Sequence, residues 1–293
     1  MELKPYLIAR QKEVDRALGC FLPKASTPPA TIHKAMRYSL FAGGKRLRPI
    51  LCLAAAEACG GKIDAAVPLA CAIECIHTYS LVHDDLPSMD NDDLRRGRAT
   101  CHKVFGDGIA ILAGDALLTI AFEIAAQSKA TKRYNLREVF REIATAAGSR
   151  KLIAGQVADL EGEGRRINRA QLRYIHENKT AALLTASVRL GAMAANASTN
   201  QLAAITAFGR ALGLAFQVID DILDVTQTTE KLGKTAGKDV AQAKATFPAL
   251  IGIEASRARL QALAATMQAS LQPFGVRADA LQALARRVVE RNH

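Results

Sequence analysis

Hydrophobic and polar positions along the chain follow a helical pattern almost throughout. Alanine, leucine, glutamate, glutamine, lysine and arginine, the strong helix formers, dominate most segments. Runs of alternating β-branched residues, which would indicate strands, are absent from the sequence. Turn signals rich in glycine, proline and polar residues separate the segments, at residues 22–30, 43–45, 59–64, near Pro87, 161–168 and 231–239. The pattern therefore predicts long helices packed in a bundle.

Two segments are apolar on almost every side of the predicted helix. They span residues 67–85 and 207–225, and each ends in a cluster of aspartates. A helix that is apolar all round belongs in the centre of a bundle. No repeat, low-complexity tract or linker divides the chain. We therefore expect residues 1–293 to form a single all-α domain, one large helical bundle around a central cavity.

Composition narrows the class of protein. The chain has 293 residues, of which 49% are hydrophobic and 23% charged, which is typical of a globular protein. It contains no uncharged apolar run of about 18 residues, so we expect no membrane span. The N-terminus is charged throughout, unlike a signal peptide, and the six cysteines lack zinc-finger spacing. We expect buried thiols in a reducing compartment and a cytoplasmic location.

The formal net charge is +11, from 39 basic and 28 acidic residues. Such an excess favours anionic partners, either nucleic acid or phosphorylated metabolites, although a solvated basic surface without a specific role is an alternative. The glycine motifs of nucleotide hydrolases and dinucleotide dehydrogenases are absent, as is the G-x-S-x-G motif of α/β-hydrolases. Composition alone does not choose between the two kinds of anionic partner.

The first aspartate cluster follows the first apolar segment. DDLPSMDNDD holds Asp84, Asp85, Asp90, Asp92 and Asp93. Pro87 cannot continue the hydrogen-bond ladder, so the helix is expected to end near Asp85, where carboxylates are unfavourable without a cation. If Asp90 folds back toward Asp84, the oxygens suit Mg²⁺, which keeps waters that a phosphate can replace. An acidic surface loop is the alternative, and the apolar helix before it argues against that.

The second cluster, DDILD, ends the other apolar segment with Asp220, Asp221 and Asp224. Asp220 and Asp224 are four residues apart and stack on one helical face, where like charges repel without a counterion. Gln217 shares a stripe with Asp221 and Asp224, so an amide lines the same wall. Apolar residues surround these acids, and burying them leaves the carboxylates lining a cavity.

Basic residues accompany both clusters. They are Lys45, Arg46 and Arg48 in GGKRLRP, Arg95, Arg96 and Arg98 in LRRGR, and the separate lysines Lys179, Lys234, Lys238 and Lys244. Two glycines allow close backbone approach, and a helix opened by Pro49 would favour an anion at its N-terminus. Arginine forks match phosphate oxygens. Carboxylates for a metal, combined with arginines and lysines, indicate a diphosphate site. DNA-binding proteins show basic stripes without acidic wells, so we expect no nucleic-acid partner.

Three residues before Asp84 share the first apolar helix with it. His77 lies seven residues earlier on the same face and is expected to project toward the acidic end. Ser80, four residues earlier, sits nearly beneath Asp84. Tyr79, five residues earlier and about 140° round the helix, is expected to flank the space below the metal site.

These motifs together resemble the trans-isoprenyl diphosphate synthases, and most closely the bacterial farnesyl diphosphate synthases. They are GGKRLRP (43–49), ECIHTYSLVHDDLPSMDNDDLRRG (74–97), ILAGDALL (111–118), GQVADL (155–160), KTAALL (179–184), FQVIDDILD (216–224) and LGKTAGKD (232–239). Several long motifs in the family's order, over most of the chain, make the resemblance specific. The first aspartate motif carries two extra residues, as in the bacterial farnesyl enzymes. Ala99 departs from the family, which usually has proline there.

The resemblance implies an isoprenoid-synthase fold and a role for each matched residue. The expected Mg²⁺ ligands are Asp84, Asp85 and Asp90 on one wall and Asp220 and Asp224 on the other. The allylic diphosphate would contact Arg95, Lys179 and Lys238 or Lys234, with Lys244 also among the substrate-binding residues. Isopentenyl diphosphate would contact Lys45, Arg48, His77 and Arg96. The expected catalytic residues are Lys179, Thr180 and Gln217, the last two presenting oxygens to the allylic cation.

The implied reaction is ionisation, condensation and elimination. Dimethylallyl and then geranyl diphosphate would lose diphosphate, the alkene of isopentenyl diphosphate would attack the cation, and the released diphosphate would take the proton. Tyr79 would form the floor of the cavity, and Tyr79 and Ser80 are both expected among the substrate-binding residues. Similar farnesyl enzymes have an aromatic residue at this position, whereas geranylgeranyl enzymes of the same subtype have a smaller one. We therefore expect a fifteen-carbon product, and the resemblance also implies a homodimer.

Other functions remain open from the sequence. A geranylgeranyl or geranyl diphosphate synthase would differ only in the depth of its cavity. A class I terpene cyclase would not need Lys45, Arg48 and His77. A non-catalytic subunit of a prenyl synthase would be expected to have lost one aspartate cluster, and both are present here. A helical nucleic-acid-binding protein would bind with strong salt dependence.

Overall fold

The computed structural model describes residues 2–226 and 246–291 and confirms the all-α fold. The helices of the described residues are α1 (Leu3–Phe21), α2 (Ala30–Leu40), α3 (Leu47–Ala58), α4 (Ile63–Asp84), α5 (Cys101–Phe105), α6 (Asp107–Ala125), α7 (Leu136–Ala147), α8 (Leu152–Gly162), α9 (Arg169–Ile175), α10 (Ala182–Ala194), α11 (Thr199–Thr226), α12 (Phe247–Ile251), α13 (Ile253–Leu271) and α14 (Asp279–Val289). A π-helix, His176–Ala181, joins α9 to α10, and a 3₁₀ segment, Gln272–Ala278, joins α13 to α14.

Helices α3, α4, α10 and α11 form the centre of the bundle, with α6 packed on α4 and α13 on α11. The two segments that are apolar all round lie in α4 and α11, as the sequence predicts. In α4 the consecutive residues 69–76 are all buried, so this helix is covered on every side. Each of the six cysteines is free and five are buried, which confirms the prediction of buried thiols.

Helix α4 ends where the sequence predicts, with Asp84 as its last residue and Asp85 in the cap position. The start of α3 differs from the prediction by two residues. This helix begins at Leu47 rather than Pro49, with Arg46 as its N-cap. A proline within the first turn costs little, because the backbone N–H that it lacks has no helical partner there.

A short β-hairpin follows the first aspartate cluster, a feature that the sequence analysis did not predict. Strands β1 (Leu94–Arg95) and β2 (Arg98–Ala99) pair antiparallel, with Leu94 opposite Ala99. The two turn residues, Arg96 and Gly97, have φ of 54° and 76°, as in a two-residue hairpin turn whose twist matches the strands. Each strand has only two residues, which is too short for an alternating pattern of hydrophobic and polar positions to be recognised.

The π-helix carries Lys179 and Thr180 and lies against α8. At the contact, a Cβ on Gly155 of α8 would overlap the backbone of Lys179. A glycine is therefore required there if α8 is to approach this segment. Local π-helical turns are rare and often occur at functional sites.

Three of the described helices are, by length and composition alone, long and apolar enough to cross a membrane. They are α4, α6 and α11, with up to two charged residues allowed in the apolar window. Within the chain, 67%, 44% and 56% of these windows are buried. The absence of an uncharged apolar run therefore does not by itself exclude a membrane span. The expectation that the chain has no membrane span depends on how these helices pack in the bundle.

Substitution of Gly191 by alanine is expected to destabilise the bundle. The new Cβ would overlap the carbonyl oxygen of Cys52, so α10 and α3 would have to separate. Overpacking of this kind typically costs about 1–3 kcal/mol in the free energy of unfolding, measurable by urea denaturation. Gly19→Ala is the matched control, because a Cβ there meets nothing within 4 Å. That variant should gain roughly 0.5–1 kcal/mol. Equal stability of the two variants would contradict this account of the helix contact.

Candidate active site

The first wall of the site lies at the end of α4, where the chain turns back on itself. The backbone N–H of Asp90 donates to the carbonyl oxygen of Asp84 at 2.9 Å, so Asp90 folds back as expected. Burial, together with the charges of Asp90 and Asp85, raises the pKa of Asp84 to about 6, although the charges of Lys179 and Arg95 oppose the rise. Asp84 and Asp90 therefore form an acidic pair at the edge of a buried region, the setting in which a cation is most stabilising.

Asp85 is engaged differently from its neighbour. Its carboxylate is buried, and both of its oxygens accept hydrogen bonds from Nε of Arg95, at 2.7 and 2.8 Å, with a further bond from Nη2. Burial raises the pKa of Asp85, and the bonded guanidinium opposes that rise. A fork of this kind fixes the orientation of both side chains, so Asp85 holds Arg95 of β1 beside the acidic pair.

The second wall is formed by α8, the π-helix and α11. A cavity of about 150 Å³ is lined there by Lys179, Gln217, Asp221 and Asp159, among others. Nζ of Lys179 donates to Asp159 at 2.6 Å. The positive charge of Lys179 also lowers the pKa of Asp84, so the ammonium lies within electrostatic reach of the first wall. Thr180 follows Lys179 in the same π-helix.

The three aspartates of α11 have different surroundings. Asp220 binds Arg291, which follows α14, at 2.7 Å. Asp221 accepts a hydrogen bond at 2.8 Å from the backbone N–H of Phe247, the first residue of α12. Asp224 is buried one turn beyond Asp220. The prediction that Asp220 and Asp224 share a helical face is consistent with this placement, although Arg291 already neutralises Asp220.

A basic cluster surrounds His77 on α4. Burial, and then the charges of Arg48 and Arg96, hold the pKa of His77 well below its ordinary value of 6.5. Burial likewise lowers the pKa of Arg48 to about 10. Arg96 donates from Nη1 to the carbonyl oxygen of Gly43, which ties the hairpin to the glycine turn. Three of the four residues expected at the isopentenyl diphosphate site therefore converge.

Lys45, the fourth of these residues, is exposed. Partial burial of its ammonium, together with the charges of Arg291 and Arg287, lowers its pKa, and Asp220 opposes that effect. Lys45 is therefore within electrostatic reach of Asp220 on α11 and of Arg287 and Arg291 near the C-terminus. Lys234, Lys238 and Lys244 lie outside the described residues.

Tyr79 and Ser80 complete the predicted set on α4. Tyr79 is buried, and its ring meets His83 edge-on at 5.9 Å between centroids. Burial and the nearby charge of Asp84 raise the pKa of Tyr79 to about 12. Ser80 donates to the carbonyl oxygen of His77 at 2.9 Å, within its own helix. Tyr79 is thus an apolar wall below the acidic pair, whereas the Ser80 hydroxyl already has a backbone partner.

The donor set fits Mg²⁺. Within the described ranges, no three His, Cys, Asp or Glu side chains converge as a preformed metal-binding group. Mg²⁺ characteristically binds through one or two carboxylates, several waters and the phosphates of a substrate, rather than in an all-protein cage. Asp84 and Asp90 supply such carboxylates, and arginine and lysine side chains are available beside them for the phosphates.

The sequence analysis assigned no specific role to several residues that the structure brings to the site. Asp159, Arg291 and the buried pair of Arg46 with Glu74 are the clearest examples. Asp159 lies within the GQVADL motif and Arg46 within GGKRLRP, so a motif did mark both of them. Nothing in the local sequence marks Arg291, because its contact with Asp220 spans 71 residues.

Comparison with known proteins places this site in a family. The polyprenyl synthetase family matches residues 29–280. The chain is 46% identical to geranylgeranyl pyrophosphate synthase 4 of Arabidopsis thaliana, over 100% of this chain and 79% of that protein. It is 44% identical to farnesyl diphosphate synthase of Geobacillus stearothermophilus, over 100% and 99% of the two chains. An FPP/GFPP synthase structure from Zymomonas mobilis superposes with a TM-score of 0.86 at 36% identity, covering 98% of each chain. This chain therefore belongs to the polyprenyl synthetase family.

Proposed function

We propose that this prenyltransferase condenses isopentenyl diphosphate with dimethylallyl and then geranyl diphosphate to give farnesyl diphosphate, with Mg²⁺ as cofactor. The observation that carries the proposal is the juxtaposition on α4. The acidic pair Asp84 and Asp90 lies two turns beyond the basic cluster around His77, and Lys179 approaches from the opposite wall. This arrangement supports a metal-dependent and a metal-free diphosphate site side by side at α4, as a condensation of two diphosphates requires.

The allylic diphosphate is assigned to the acidic pair. Asp84 and Asp90 would hold Mg²⁺ on this wall, with Asp220 and Asp224 on the other. Bound Mg²⁺ would neutralise the charge that develops on the diphosphate as the carbon–oxygen bond breaks. Arg95, which is bound to Asp85, and Lys179, which is bound to Asp159, would donate to the same diphosphate oxygens. Asp85 acts in this proposal mainly by orienting Arg95.

The remaining steps need a dry cavity and oriented dipoles. Loss of diphosphate leaves an allylic cation, which water would quench, so the apolar faces of α4 and α11 exclude it. Gln217, on the cavity wall, and Thr180 present oxygens to this cation. The alkene of isopentenyl diphosphate forms the new carbon–carbon bond with the cation, and the released diphosphate accepts the proton that is lost. Arg48, Arg96, His77 and Lys45 bind the diphosphate of isopentenyl diphosphate.

The length of the product is assigned to the size of the side chain at position 79. Tyr79 is buried beneath Asp84, where a chain growing from the allylic site would extend. Relatives named as geranylgeranyl synthases and as a farnesyl synthase have similar identities to this chain, so overall similarity does not decide the length. The bulk of Tyr79 favours fifteen carbons. A geranylgeranyl product is the second candidate, favoured by the number of relatives that carry that name.

A homodimer in the cytoplasm completes the proposal. Helix α6 is strongly apolar, yet Ile111 and Leu112 on it are 44% and 54% exposed. An apolar face of this kind is typical of an interface. A second copy of this chain is the proposed occupant. The free thiols support a reducing compartment.

The direct test is incubation of the purified protein with Mg²⁺, isopentenyl diphosphate and dimethylallyl diphosphate, with products read by mass spectrometry. We expect a fifteen-carbon diphosphate. Asp84→Asn should lower kcat by roughly 100-fold or more, because stabilisation of the leaving group is lost. Asp93→Asn is the matched control, since Asp93 is exposed on the same loop and bound to Lys103 at 2.8 Å. Absence of elongation by the unmodified protein, or wild-type turnover by Asp84→Asn, would refute the proposal.

Tyr79→Ala is expected to shift the product toward twenty carbons, because removal of the ring deepens the cavity. Tyr79→Phe keeps the ring, and among the described residues the Tyr79 hydroxyl has no hydrogen-bond partner to lose. This control should retain the fifteen-carbon product. Product lengths from both variants, measured under the conditions of the first assay, decide the assignment. An unchanged distribution in Tyr79→Ala would show that another residue limits the length.

His77 is expected to remain a neutral imidazole from pH 8 to pH 6, because burial among arginines disfavours its charged form. An ordinary histidine is half protonated near 6.5. Below about pH 6.5 His77 becomes protonated in the unfolded chain but stays neutral in the folded protein. The contribution of His77 to the free energy of unfolding is therefore complete above about pH 6.5 and declines as the pH falls. Nitrogen chemical shifts of the imidazole, assigned by their loss in His77→Asn, measure this. A titration midpoint near 6.5 would contradict it.

A further inference from the structure

The turn that carries Lys45 has an unusual backbone. Gly43, Gly44 and Arg46 have φ of 85°, 122° and 49°, so three of four consecutive residues lie in the left-handed region. Glycine adopts such angles at little cost, but arginine does not. A non-glycine residue persists there only when its surroundings hold it. The side chain of Arg46 shows what holds it.

Arg46 is 3% exposed and binds three different helices. Its Nε donates to Asp15 of α1 at 2.8 Å, its Nη1 to Glu74 of α4 at 3.0 Å, and its Nη2 to the carbonyl oxygen of Leu40, at the end of α2, at 2.8 Å. Gln11, one turn before Asp15, donates to the carbonyl oxygen of Gly44 at 3.1 Å. The turn is therefore clamped from three sides through the guanidinium of Arg46.

Glu74 is the buried end of this clamp. It is 2% exposed and lies one turn before His77 on α4, beneath the basic cluster. Burial lowers the pKa of Arg48 and of Arg96, and the charge of Glu74 opposes that fall, so Glu74 is within electrostatic reach of both. A carboxylate buried this deeply is stable only with its cationic partner in place. Among the described residues, Arg46 is its hydrogen-bonded partner.

We propose that Glu74, acting through Arg46, is a positioning residue for the isopentenyl diphosphate site. By fixing Arg46 in the left-handed conformation, it sets the directions of Lys45, one residue before Arg46, and Arg48, two residues after it. This inference rests on the proposed function, because it assigns a residue to one of the two diphosphate sites.

Electrostatics alone predicts the opposite result from positioning, which makes the inference testable. Glu74 places a negative charge beneath an anion-binding cluster, so removing that charge should tighten the binding of a diphosphate if nothing moves. If Glu74 instead positions Lys45 and Arg48 through Arg46, removing its charge frees the turn and weakens binding. The direction of the change in KM therefore separates the two accounts.

The experiment compares Glu74→Gln, Glu74→Asp and the unmodified protein in steady-state elongation assays. For Glu74→Gln we expect KM for isopentenyl diphosphate to rise roughly tenfold, the scale of losing a hydrogen bond to a charged group. KM for the allylic substrate should stay within about twofold, because Asp84 of the acidic pair lies nearly three helical turns from Glu74. Glu74→Asp retains the carboxylate and should recover part of the loss. If Glu74→Gln does not fold, Glu74→Asp alone should still raise KM for isopentenyl diphosphate selectively.

Glu142→Gln is the matched control. Glu142 of α7 accepts hydrogen bonds from Arg189 of α10 through both oxygens, at 2.7 and 2.9 Å. The substitution therefore removes one negative charge from a partly buried glutamate–arginine ion pair outside the site. We expect it to lower the melting temperature without a selective change in either KM. A KM for isopentenyl diphosphate that is unchanged or lower in Glu74→Gln, or raised equally in Glu142→Gln, would overturn the inference. Absence of elongation by the unmodified protein would instead refute the proposed function.

Discussion

The rest of the structure depends on one constraint, which is that α4 is buried on every side and still carries charge. Residues 69–76 of this helix are all buried, yet Glu74 lies among them and Asp84 and Asp85 end the helix. Each buried charge must find a partner or be destabilising. Arg46 of the glycine turn therefore binds Glu74 and Arg95 of the hairpin binds Asp85, while Lys179 of the π-helix lies within electrostatic reach of Asp84.

The partners divide the acids into two groups with different roles. Glu74 and Asp85 are buried and already bound to arginines, so they determine shape. Asp84 has a pKa raised to about 6 by burial and by neighbouring carboxylates, which is a measure of negative charge that protein cations only partly offset. Charge of that kind, beside room for waters and phosphates, is what a hard divalent cation stabilises. The paired carboxylates of Glu74 and Asp85 therefore fix the shape of the site, whereas the carboxylate of Asp84 is available to a cation.

Much of the fold could be predicted from the sequence, because it depends on local patterns. Helix formers, apolar periodicity and Pro87 determine the helices and the end of α4, and both predictions were confirmed. The start of α3 was predicted two residues late, since tertiary contacts of Arg46 rather than propensity begin that helix. The β-hairpin was missed because two-residue strands leave no periodicity, although the glycine of its turn was visible.

The sequence by itself determined which chemistry is present: two aspartate clusters, arginines and lysines between them, and apolar helices to exclude water. Only the tertiary structure decided how those groups are used. Asp84 and Asp85 are adjacent in the chain and chemically identical, but Asp84 has carboxylates and Lys179 within electrostatic reach, while Asp85 is bound by Arg95. Asp220 meets Arg291 across 71 residues. Local patterns specify helices because their hydrogen bonds are local, whereas the pairing of charges depends on which helices meet.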